Sequence, residues 1–150
     1  MLKQQLEQDL KTALLAGDKD RVTVLRGLKS VILYAEVAKG VRAEGLSDAE
    51  IIPLLAKEAK KRQESADLYV QGGSPERAST ELAEKTIIET YLPKQLSEDD
   101  LKKLIDEVVA DLGATTPQAM GQVIGAVKQK TVGSADGALI ARLVKEKLQR

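Results

Sequence analysis

The chain has no histidine, cysteine, tryptophan or phenylalanine, and Tyr34, Tyr69 and Tyr91 are its only aromatic residues. Each absence removes a class of chemistry. Without histidine or cysteine there is no Ser-His-Asp triad, no Cys-His pair, no imidazole acid or base and no conventional zinc site. Without cysteine no disulfide forms, which suits a reducing compartment. Three tyrosines are too few for the stacking platforms with which single-strand binders hold bases. No apolar run approaches the ~20 residues of a membrane span. The first residues, Met1-Leu2-Lys3-Gln4-Gln5-Leu6-Glu7, are amphipathic and lack the apolar stretch of a secretory signal. A cytoplasmic protein without membrane contact is therefore expected.

What remains is an ordinary globular inventory. The 150 residues are 43% apolar and 31% charged, with 23 basic against 23 acidic side chains. That length suits one domain or two small ones and can bury roughly 70% of the surface exposed on unfolding. The chemical tools are carboxylates, lysines, hydroxyls and backbone amides. No Walker-type loop or dinucleotide fingerprint occurs: Gly72-Gly73-Ser74 lacks the Lys-Ser/Thr that should follow. Carboxylate pairs such as Asp99-Asp100 and Asp106-Glu107 sit at helix starts or on polar faces, where they complement the dipole. No catalytic residue, cofactor or metal site is predicted.

Apolar residues recur at helical spacing nearly throughout, and strand-like alternation is missing. Leu2, Leu6, Leu10 and Leu14 form a first stripe ending at Gly17. Asp18 or Asp20 can cap a second helix through Val22, Leu25, Leu28, Ile32 and Ala35 to Gly40. Ser47 and Glu50 have capping-box spacing for a third, which runs to about Gln71 with Pro53 near its start. Ser74-Pro75 opens a fourth that ends before Leu92-Pro93. Ser97 and Asp100 give another box for a fifth, whose stripe is Leu101, Leu104, Ile105, Val108, Val109 and Leu112. Thr116-Pro117 opens a sixth with Met120, Val123, Ile124 and Val127 on one face, and a seventh carries Ile140, Leu143, Val144 and Leu148. The expected fold is all-α: a four-helix antiparallel hairpin region over 1–92, then a three-helix bundle over 93–150.

Charge is uneven under the neutral total. Residues 97–111 hold 2 basic and 6 acidic side chains, net −4, whereas 112–150 hold 6 and 2, net +4. Solvated helix faces or a functional patch would both produce this pattern.

Longer motifs carry a resemblance. The string Ile88-Glu89-Thr90-Tyr91-Leu92-Pro93-Lys94-Gln95-Leu96-Ser97 resembles the "YLPxQLS" hinge of the GatB/YqeY family. Met120-Gly121-Gln122-Val123-Ile124-Gly125, then Gly133-Ser134-Ala135-Asp136-Gly137 and Val144-Lys145, resemble its closing "MG…G-x-ADG…VK" pattern. Leu25-Arg26 and Lys60-Lys61-Arg62 stand where YqeY-like proteins have them, so the likeness covers essentially the whole chain. It implies two all-helical parts, the second similar to the tail domain of the B subunit of glutamine-dependent aspartyl/glutamyl-tRNA amidotransferase. In that enzyme the tail holds tRNA, while ammonia production and transamidation belong to domains not expected in this chain. The resemblance thus implies a non-catalytic, tRNA-associated accessory protein. Two alternatives stand beside it: a module docking on an amidotransferase or aminoacyl-tRNA synthetase, and the carbon–nitrogen ligase activity, with glutamine as amide donor, that the family label carries.

The candidate nucleic-acid contacts are Lys128, Lys130, Arg142, Lys145 and Lys147, all in the segment with a positive excess. Arg142 and Lys145 share a face opposite the apolar stripe and would grip phosphate or sugar, reading RNA by shape. A second basic face comprises Lys57, Lys60, Lys61 and Arg62, for which Glu58 and Glu64 offer local pairing instead. Tyr91, Leu92 and Pro93 read as a structural hinge. Gly121 and Gly125 read as a packing device that lets another backbone approach. Gly133, Asp136 and Gly137 read as a helix cap, with Asp136 or Ser134 occupying the amides that would otherwise take an anion.

Overall fold

A computed structural model describes residues 1–149. Its order is α1 (Leu2–Ala16), α2 (Lys19–Lys39), α3 (Asp48–Gln71), α4 (Pro75–Glu89), α5 (Glu98–Leu112), a 3₁₀ turn (Pro117–Ala119), α6 (Met120–Lys130) and α7 (Gly137–Leu148). No strand occurs among the described residues, so the all-α fold class expected from periodicity is the one observed. The chain divides between Leu92 and Pro93 into two compact units, each with its own apolar cluster.

In the first unit, Leu6, Leu25, Leu28, Ile32, Ile51 and Leu55 are buried together with Ile88 and Tyr91. Each such side chain contributes about 1.5–3 kcal/mol by leaving water. Lys3 meets Glu36 and Glu7 meets Lys29, an order of pairs in which α1 and α2 run antiparallel, and after the short turn at 72–74 α4 packs on α3, where Arg62 meets Glu84. Asp18 caps α2 through the Arg21 amide. The Ser47–Glu50 box closes in both directions, each bond 3.3 Å. The same Glu50 pairs with Lys39, whose ammonium is the main cause holding its carboxyl below the usual range.

In the second unit, Leu101, Ile105 and Val108 of α5 pack with Val123 and Val127 of α6 and with Ile140, Leu143, Val144 and Leu148 of α7. Gly113 ends α5 at φ 62°, a conformation glycine alone adopts at little cost.

Several local expectations change. Leu14 is 49% exposed and Ala13 is buried in its place. A ladder of every fourth residue rotates about 40° per step, so the buried stripe drifts from Leu6 and Leu10 to Ala13. Leu112 is likewise left exposed where α5 ends. The Ser97 cap is one-sided: its hydroxyl takes the Asp100 amide, but no return bond forms from the shorter aspartate. Ser74 makes no side-chain cap; its amide closes α3 by donating to the Tyr69 carbonyl. Thr116-Pro117 opens the 3₁₀ turn, and α6 itself begins at Met120.

The stripe on α2 continues past Ile32 to Glu36, which is 1% exposed. Lys3 Nζ donates to both of its carboxylate oxygens at 2.9 Å, and the Leu46 amide donates to Oε2 at 3.0 Å. The Lys3 hydrogen bond chiefly holds this carboxyl below its ordinary value, against the opposing effect of burial. A buried charge is tolerable only when so satisfied.

Candidate nucleic-acid interface

The motif across the division is a pair of anchors. Tyr91 is buried, and its hydroxyl donates to Asp9 Oδ2 on α1 at 2.5 Å; burial, then this acceptor, push its pKa up to about 12. Leu92 packs on the first core. Beyond Pro93, Leu96 packs on the second core and donates its amide to the Ser134 carbonyl at 2.8 Å, while Gln95 Nε2 donates to the Gly133 carbonyl at 2.7 Å. The α6–α7 loop is thereby held to the start of the second unit. Gly133 supplies the turn at φ 77°, and buried Thr131 donates to the Val127 carbonyl at 2.8 Å. Asp136 takes the N-cap position of α7 without a side-chain cap bond, so the expected Asp136 or Ser134 cap does not form; Ser134 donates instead to the Thr131 carbonyl.

The basic candidates separate into two groups. Arg142 donates to Glu146 at 3.2 Å and to Glu98 at 3.4 Å, and Lys147 pairs with Asp106 at 3.0 Å. The +4 and −4 segments thus face each other across α7 and α5, which neutralises part of the excess. Lys128, Lys130 and Lys145 are exposed and make no ion pair among the described residues. Lys128 extends from the end of α6 over the start of α7: a Cβ built on Gly137 would meet its Cε at 3.3 Å and its Nζ at 3.5 Å. Gly137 is bare where that lysine crosses.

Gly121 and Gly125 pack against no other element among the described residues. Both are exposed, and a Cβ at either position would meet nothing within 4 Å. The reason is angular: α6 buries Val123 and Val127, and each glycine lies two residues, about 200°, from a buried valine. The expected close backbone contact is absent among the described residues. Instead α6 presents a strip of bare backbone that leads to Lys128, seven residues beyond Gly121 and on the same side.

The second basic face is also divided. Arg62 turns into the α3–α4 seam, 2.8 Å from Glu84, 3.5 Å from Glu58 and 3.9 Å from Glu81. Lys61 pairs with Glu58 at 3.2 Å. Glu58, expected to offer only local surface pairing, is buried and anchors both cations. Lys57 and Lys60 are exposed. Sequence reasoning missed Glu58 and Glu36 because it treated every charge as solvated; their place on the i, i+3, i+4 apolar ladder was the available signal.

Among the described residues no group of acidic side chains is arranged to hold a metal ion, and no helix is long and apolar enough to cross a membrane. The chain is 29% identical over 131 residues to altered inheritance of mitochondria protein 41, mitochondrial, of Kluyveromyces lactis, covering 85% of this chain and 69% of that one. It is 30% identical over 142 residues to the E subunit of glutamyl-tRNA(Gln) amidotransferase of Thermococcus gammatolerans, covering 85% of this chain but only 19% of that larger protein. The family model described as Yqey-like protein matches residues 3–148, so that the hinge, the bare strip of α6 and the α6–α7 loop all fall within it. The chain belongs to the YqeY-like family.

Proposed function

We propose that the chain is a tRNA-associated accessory module that holds RNA through the outer face of its second unit and performs no chemistry of its own. The observation that carries this reading is the glycine strip. Gly121 and Gly125 weaken an 11-residue helix by about 1 kcal/mol each relative to alanine, and nothing among the described residues packs closely against them. An external backbone approaching α6 would compensate. Lys128, Lys130 and Lys145, which make no ion pair among the described residues, supply in the same unit the positive charge that phosphate contacts use. Similarity to a protein whose name contains tRNA identifies the RNA to try first. Lys57 and Lys60 form a secondary contact face in this reading, while Arg62, Arg142 and Lys147 act within the fold.

The test is a filter-binding titration with total tRNA at about 50 and 200 mM salt. Three phosphate contacts predict a slope of log affinity against log salt of about −2 to −3. Lys128→Glu with Lys130→Glu should weaken binding strongly, and Arg142→Glu should do so less. Affinity that is undetectable at the lower salt, or indifferent to the lysine pair, ends the proposal. Robust glutamine hydrolysis or amide transfer by the purified chain would end its non-catalytic part.

A further inference from the structure

A cleft of about 560 Å³ runs between α1 and α2 in the first unit, within the range of small-molecule sites. Lys3, Arg26, Lys29 and Arg42 line it against only two acids, Glu7 and Glu36, so two positive charges are in excess. Lys3 is committed to Glu36 at 2.9 Å, which leaves that end of the cleft neutral apart from Arg42. Lys29 reaches Glu7 only at 3.9 Å. Arg26 makes no hydrogen bond or ion pair among the described residues, and neither does the Ser30 side chain. Arg26, Lys29 and Ser30 stand at i, i+3 and i+4 on α2, the spacing that puts three side chains on one helix face. Beside them the lining is apolar, with half-buried Leu10 and exposed Leu33 at the surface of the cleft.

A guanidinium fork, an ammonium and a hydroxyl donor match the three terminal oxygens of a phosphoryl group better than they match a single neutral acceptor. We propose that the α1–α2 cleft binds an organic phosphate, its phosphoryl group taken by Arg26, Lys29 and Ser30 and its apolar body seated against Leu10 and Leu33. The cleft shares no residue with the RNA reading, whose main contacts lie in the second unit, so the two stand or fall separately.

The experiment is calorimetric titration of the full chain with octyl phosphate, with inorganic phosphate and octanol as part-ligands. Octyl phosphate is expected to bind at one site per chain, at least about tenfold more tightly than either part-ligand. Arg26→Gln should weaken it about tenfold or more, and Ser30→Ala should weaken it several-fold. Both residues are exposed, so the fold persists, and Arg77→Gln on α4, outside the cleft, serves as the unaffected control. No binding of octyl phosphate, equal affinity in the Arg26 and Arg77 variants, or octanol binding as tightly as octyl phosphate would each overturn the proposal. Flotation with vesicles containing phosphatidic acid, whose headgroup is a phosphomonoester, separates the sources: capture lost with Arg26→Gln assigns a lipid headgroup, and no capture assigns a free organophosphate. Displacement of octyl phosphate by tRNA would make the cleft an RNA contact and also overturn it.

Discussion

At the scale of single residues, glycines and carboxylates give the sharpest tests. Gly121 and Gly125 lie in helical backbone with open space where a Cβ would stand. Replacing both with alanine should therefore stabilise α6 by about 0.5–1 kcal/mol per site. The same substitution should weaken tRNA binding, because two methyl groups then hold the RNA backbone away. Urea melts and filter binding on one sample read both effects; stabilisation with unchanged RNA affinity would remove the glycine strip from the interface. Glu36 makes a second prediction. Its folded carboxyl titrates below its ordinary value of 4.5, so the ion pair with Lys3 contributes fully above that pH and is lost as pH falls through the folded pKa. Wild type should lead Glu36→Gln in thermal stability near neutral pH, and the lead should shrink progressively below pH 4.5. A lead that is constant across that window would mean that the charge on Glu36 does not stabilise the fold.

At the scale of elements, capping separates residues that look alike in sequence. Ser47 and Ser74 both precede helices, yet only Ser47 bonds to a first-turn amide. Ser47→Ala should cost about 1 kcal/mol and Ser74→Ala much less, measured as midpoint shifts in urea. Equal costs would show that the bonding difference carries no energy. The pair also shows how far sequence reaches. Periodicity, glycine stops and Asp18 or Ser47 caps are local, and they gave the helices of this chain with their ends nearly in place. Whether a polar side chain bonds its own helix or something else is a tertiary matter. Ser74 is followed by proline in the expected way, but its amide is drawn to Tyr69. Arg142 and Lys147 read as unpaired cations in sequence because Glu98 and Asp106 lie about 40 residues away on α5, although Glu146, one turn from Arg142, is a local partner in plain view. Gly121-x-x-x-Gly125 looked like a packing motif because sequence alone does not tell which face of α6 its neighbours cover. Helical class follows from spacing; the assignment of each charge follows from which helices become neighbours.

At the scale of the whole molecule, the two apolar clusters share no residue, and the stretch that joins them anchors each of its halves in a different core. Tyr91 and Leu92 close the first unit; Gln95 and Leu96 open the second, with Pro93 between them. Independent cores should report independent stabilities. Leu25 is fully buried in the first cluster, and Leu25→Ala should cost about 2–5 kcal/mol there. A domain's whole stability is only about 5–15 kcal/mol, so that loss should expose the first unit while the second stays folded. Hydrogen exchange resolved along the sequence measures this: protection of α1 to α4 should fall, and protection of α5 to α7 should not. The RNA reading adds a consequence, since its main contacts lie in the second unit. Leu25→Ala should retain most of its tRNA binding at temperatures where its first unit has melted, losing only the secondary contribution of Lys57 and Lys60, whereas octyl phosphate binding should vanish with that melt. Loss of protection in all seven helices together would mean that the division between Leu92 and Pro93 is geometric but not energetic, and the separation of an RNA face from a phosphate cleft would lose its physical basis.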